Sequence, residues 1–119
     1  MKNIKICTVV TGKNLGEFLK NLGGAQRISD LIELRVDTVK DLSVNDLELI
    51  RKKTLKKAII KLGTDEGLIK KSVNLGFNLI DIDIKIFKSL KILIPREKLI
   101  ISYHDFNKTP DGIYLEKIF

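Results

Sequence analysis

Five short runs of Ile, Leu and Val recur along the chain, each followed by turn-forming residues and a stretch with helical periodicity. This rhythm limits the fold more than any other feature, because apolar strands alternating with helices belong to parallel sheets covered by helices. The runs occupy residues 4–11, 31–37, 58–62, 79–84 and 99–103. Helices are expected over 15–22, ended by Gly23-Gly24, and over 44–53, capped by Ser43 with Asp46 in the first turn. Further helices are expected over 66–74, closed by Gly76, and over 86–93, ahead of Pro95. A fifth should begin at Asp111 and reach Phe119. The fold class that follows is α/β, about five parallel βα units in one domain over 1–119. It is either an open doubly wound sheet or part of a (β/α)₈ barrel.

Composition narrows the functional classes. With 44% hydrophobic and 31% charged residues, the chain has the balance of a globular protein rather than a disordered one. No apolar run approaches the roughly 20 residues of a membrane span, so no membrane partner is expected. The N-terminus opens directly on strand-like sequence, without the pattern of a signal peptide. A single cysteine, Cys7, excludes an internal disulfide, so a cytoplasmic location is expected and Cys7 reads as a small buried hydrophobe. The net charge of +7 comes mostly from scattered lysines, with no arginine-rich block and no base-stacking aromatic motif. It reads as a solvated lysine surface, and no nucleic-acid partner is expected. A lysine-driven nucleic-acid binder remains a third functional class, which steep salt dependence would reveal.

Polar residues inside the apolar runs carry the functional signal. In the second run Glu33, Arg35 and Asp37 share one face by the two-residue period of a strand, with Ile32, Leu34 and Val36 on the other. The fourth run repeats the arrangement with Asp81 and Asp83, and the fifth with Ser102 and His104. Charges inside central strands are costly unless they are paired or face a polar cavity. Their recurrence on neighbouring strands predicts a shared site at the strands' C-terminal ends. His104, the only histidine, ends its strand and opens into a polar loop, a suitable place for a proton-transferring group. Ligand spacing does not favour a metal, since there is one His and no ligand pair at helical spacing. Ser102 lacks the Gly-x-Ser-x-Gly setting of a serine hydrolase.

The motifs Glu33-Leu34-Arg35-Val36-Asp37, Asp81-Ile82-Asp83-Ile84 and Ser102-Tyr103-His104-Asp105-Phe106, the last followed by Lys108-Thr109-Pro110, resemble type I 3-dehydroquinate dehydratase in sequence and order. So does the opening Ile-Cys-Thr-Val-Val-Thr-Gly. The resemblance covers essentially the whole chain but about the first half of that family's barrel, and so implies an incomplete TIM-type barrel. It implies a lyase of the shikimate pathway, in aromatic amino acid biosynthesis, which dehydrates 3-dehydroquinate to 3-dehydroshikimate without metal or external cofactor. In that family a lysine forms a Schiff base with the substrate ketone and a histidine moves the proton. By resemblance His104 is that acid–base residue, Glu66 orients it, and Glu33, Arg35, Asp83 and Ser102 face the substrate.

Departures from the family pattern set further expectations. The Schiff-base lysine belongs on a sixth strand, which the sequence to Phe119 does not reach, so none is expected within the chain. Lys61 is the best-placed substitute, but it is expected to face solvent. Strand three usually ends in Thr-x-Arg, and Leu62 stands at the Arg position. Glu66-Gly67-Leu68 replaces Glu-Gly-Gly, and Asp83 stands where glutamate is usual. Open sheet edges imply a homodimer or a companion chain, with impaired activity for the isolated chain. The alternative function is a non-catalytic module that binds a small carboxylate through Arg35 and nearby lysines.

Overall fold

A computed structural model describes residues 5–90, 94–104 and 113–117, with side chains described as far as Ser102. Its strands are β1 (Cys7–Val10), β2 (Leu31–Arg35), β3 (Lys57–Lys61), β4 (Leu79–Asp83), β5 (Leu99–His104) and β6 (Ile113–Lys117). Its α-helices are α1 (Leu15–Ile28), α2 (Val44–Lys53), α3 (Glu66–Leu75) and α4 (Ile84–Phe87). The strands form one sheet in the order β1-β2-β3-β4-β5-β6. The first five run parallel, with helices between them, as the βα rhythm predicts.

Strand alternation divides the sheet into two chemically distinct faces. Ile32, Leu34, Ala58, Ile60, Ile80, Ile82, Leu99 and Ile101 are buried with Phe18, Leu22 and Ala25 of α1, Leu47 and Ile50 of α2, and Ile69 of α3. This is the core. The opposite face carries Glu33, Arg35, Lys61, Asp81, Asp83 and Ser102, all in step with one another through the parallel register. Helix ends follow the sequence where caps are strong. Ser43 Oγ accepts from Asp46 N and Asp46 Oδ2 accepts from Ser43 N, both at 3.1 Å, so α2 starts where the capping box requires. Gly76 closes α3 in the left-handed region, at φ 76°.

Three elements depart from expectation. Helix α1 does not stop at Gly23-Gly24 but continues to Ile28. The apolar stripe of Phe18, Leu22 and Ala25 carries on past the glycines, and burial of that face outweighs the ~1 kcal/mol that each glycine costs a helix. A methyl group built on Gly24 would meet nothing within 4 Å. Gly24→Ala is therefore expected to raise stability by about 0.5–1 kcal/mol, read as a higher urea midpoint with an unchanged slope.

The second departure is the segment expected to start a fifth helix. Residues 113–117 form β6, antiparallel to β5, with Tyr103 opposite Tyr114 and His104 opposite Ile113. Ile-Tyr-Leu favours strand, Pro-Asp-Gly before it favours a turn, and β5 offers an unpaired edge. The third is α4, which begins at Ile84 directly after β4 rather than at 86. Asp83 accepts a hydrogen bond from Lys85 N at 2.8 Å and starts the helix two residues early. The remainder of the expected helix includes residues 91–93, which lie outside the described residues. Cys7 is also a correction. It is exposed, because in β1 it pairs with Leu31 on the face that the core does not occupy.

Candidate active site

The C-terminal end of β2 is shaped by hydrogen bonds local to its sequence. A 3₁₀ turn over Val36–Thr38 follows Arg35, and Thr38 Oγ1 donates to the Arg35 carbonyl at 2.6 Å. The same hydroxyl accepts from Gly12 N at 3.2 Å, which ties the loop after β1 to the end of β2. The turn swings Asp37 back so that Arg35 Nη2 donates to its Oδ2 at 2.7 Å. That bond raises the Arg35 pKa, helped by the charges of Asp37, Glu33 and Asp81 against the lowering effect of burial. Glu33, half-buried on the same face, is thus one of the acids whose charge favours the protonated guanidinium.

Next to it, Lys61 overturns the expectation that it faces solvent. It is only 8% exposed. Its Cα pairs with Arg35 on one side and Asp81 on the other, so the register places it on the charged face. Lys61 Nζ donates to Ser102 Oγ at 2.6 Å and to Asp81 Oδ1 at 3.3 Å. Ser102 Oγ in turn donates to the same Asp81 oxygen at 2.6 Å. A buried ammonium, carboxylate and hydroxyl from three adjacent strands thus satisfy one another, the condition under which such groups can be buried at all. Leu62, which sequence comparison set at the arginine position, belongs to the core.

A cavity of about 440 Å³ lies at the C-terminal ends of β2, β3 and β4. Arg35, Asp37, Lys61, Thr64, Asp83 and Lys85 are among the residues lining it. A space of this size suits a small organic ligand. Of the residues expected at the site, Arg35 and Asp83 line the cavity, and Glu33 lies on the same face of β2 one strand period below. Ser102 is buried and engages Lys61 and Asp81. Glu66 is exposed at the first turn of α3, near the end of β3. Position 104 ends β5 two residues beyond Ser102, and the His104 side chain lies outside the described residues.

Sequence reasoning did not place Lys61 and Asp81 together. The signal was available: Lys57, Ile59 and Lys61 alternate with Ala58, Ile60 and Leu62, and core-forming residues on the second set send Lys61 to the Arg35 side. A model of the family described as Type I 3-dehydroquinase matches residues 6–119. The chain belongs to the type I 3-dehydroquinase family. Its five parallel strands with helices between them agree with part of that family's barrel. A 3-dehydroquinate dehydratase from Coxiella burnetii (strain CbuK_Q154) is 38% identical over 119 residues, covering 89% of this chain and 51% of the relative. The enzyme of the same name from Methanocaldococcus jannaschii is 31% identical over 132 residues, covering 95% of this chain and 59% of the relative. One from Methanococcus maripaludis (strain C7) is 30% identical over 125 residues, covering 89% and 56%. This type I 3-dehydroquinase family member thus spans about half the length of the curated relatives it matches. No helix among its described residues is long and apolar enough to cross a membrane.

Proposed function

We propose that this chain forms the acid–base side of a 3-dehydroquinate dehydratase site, a cytoplasmic lyase of aromatic amino acid biosynthesis. The observation that carries this reading is the meeting of Arg35, Lys61 and Asp83 at one cavity, in a chain belonging to the type I family. In the proposed reaction His104 takes the proton from the carbon beside the substrate ketone and then assists the departing hydroxyl. An imidazole suits both steps, because its pKa lies near neutrality and it can accept and donate within one cycle. Glu66 orients that imidazole. Glu33, Arg35 and Asp83 hold the hydroxyl and carboxylate groups of the substrate, and Ser102 acts from the floor through Lys61.

Carbanion chemistry next to a ketone needs an electron sink, and an iminium on a lysine supplies one. By family resemblance that lysine is on a sixth parallel strand, which a companion chain would supply. The test is complementation. Residues 1–119 are assayed alone and with the C-terminal half of the Coxiella relative supplied as a separate chain, following the absorbance of the conjugated enone product. The expected result is negligible turnover alone and restored turnover in the mixture. Family-like turnover by the 119 residues alone would overturn the need for a companion. Absence of turnover in a mixture that forms a stable complex would overturn the dehydratase reading.

A further inference from the structure

Strand β5 has both of its edges filled. On one side it pairs parallel with β4 over residues 99–102, and on the other antiparallel with β6 over residues 100–104. Among the described strands β6 is the only one that runs against the others. Linker length explains the reversal. Eight residues, 105–112, separate β5 from β6, whereas a crossover that returns the chain parallel takes roughly a dozen or more. The pairing is continuous, with Ile113 to Lys117 opposite His104 to Ile100. It is also held from one side only: β2, β3 and β4 each lie between two strands, and β6 ends the sheet. Among the described elements β5 is the one neighbour with which β6 makes substantial contact. Glu116 and Lys117 give this outermost strand the charged residues that discourage further strand pairing.

We propose that β6 is a displaceable cap on the β5 edge, which shields that edge in the chain alone and leaves when a companion's parallel strand joins the sheet there. The proposal rests on the reading that a companion supplies the next strand, because β5 cannot pair with that strand and β6 on the same edge. An uncovered edge is a row of unpaired N–H and C=O groups that recruits other strands, and a cap held within the chain removes that hazard. A strand tethered through a short linker competes at an effective concentration on the order of millimolar. A weakly matched strand at micromolar concentration therefore does not displace β6. A companion that covers more of the sheet does, at an apparent affinity reduced by the fraction of chains with an open edge. The cap thus makes assembly selective. Because Ile113 pairs with His104, uncapping also changes the main-chain pairing of the residue proposed to move the proton.

The test locks the cap in place. Tyr103 and Tyr114 are register partners, so Tyr103→Cys/Tyr114→Cys can be oxidised to a cross-strand disulfide, with Cys7→Ser added to remove the exposed native thiol. Affinity for the C-terminal half of the Coxiella relative is titrated for the oxidised and the reduced protein. The oxidised form is expected to bind about tenfold more weakly or worse, with recovery on reduction by dithiothreitol. Equal affinity would overturn the proposal, as would failure of the two thiols to join or a C-terminal half that binds neither form. The wild-type chain gives a second reading without substitution. Nuclear Overhauser contacts between residues 102–104 and 113–115 are expected in the chain alone and lost in the complex, and their persistence there would overturn the proposal. Turnover restored with equal affinity in both redox forms would sink the cap and leave the dehydratase reading standing. Redox-controlled binding without turnover would keep the cap and sink the dehydratase reading.

Discussion

Lys61→Met is expected to destabilise the fold by about 3–5 kcal/mol, the typical result of removing one member of a buried ion pair. The effect is large because Asp81 is itself 5% exposed and would retain only the Ser102 hydroxyl as a described partner. The charge would then lie between β3 and β5 without a cation bonded to it, Arg35 acting on it only through space. Lys61→Met/Asp81→Asn should lose less than the sum of the single changes, because the second substitution removes the charge that the first one strands. Urea unfolding of the wild type, both single variants and the double variant measures the coupling. Additive losses would mean that the pair does not interact as the 3.3 Å contact implies.

The second large effect concerns turnover. In the complemented enzyme His104→Gln is expected to reduce kcat by about 10²–10⁴-fold, the usual range for loss of a general acid–base group. Substrate affinity should change little, because the binding groups proposed above, Glu33, Arg35 and Asp83, do not include residue 104. Steady-state kinetics with a direct binding titration separates the two quantities. A loss of affinity with unchanged kcat would assign His104 to binding instead.

The fold was legible wherever one local signal dominated. Apolar runs bounded by turn residues marked all five parallel strands to within a few residues, and the Ser43–Asp46 capping box fixed the start of α2. Where tertiary packing competed with a local signal, packing won. The glycine pair within α1 is a strong stop in isolation, yet the buried Phe18–Leu22–Ala25 stripe carries the helix through it. Residues 113–117 were too few to settle their own structure, and an available strand edge decided it.

The site was legible in part, for a related reason. Glu33, Arg35, Asp81 and Asp83 could be placed on one face because strand alternation is a local rule. The partner of each charge could not be read the same way, since the pairings of Lys61 with Asp81 and Ser102 span 20 and 41 residues. A lone lysine near a strand end is ordinarily a surface group. Only the register between strands, which brings Arg35, Lys61 and Asp81 into line, turns it into part of the cavity wall.

The most direct test of the whole account is to map where 3-dehydroquinate touches the chain. Amide chemical-shift changes during titration of ¹⁵N-labelled protein should concentrate at the C-terminal ends of β2, β3 and β4, around Arg35, Lys61, Gly63 and Lys85. Changes confined to the N-terminal ends of the strands or to the outer surfaces of α1–α3 would contradict it.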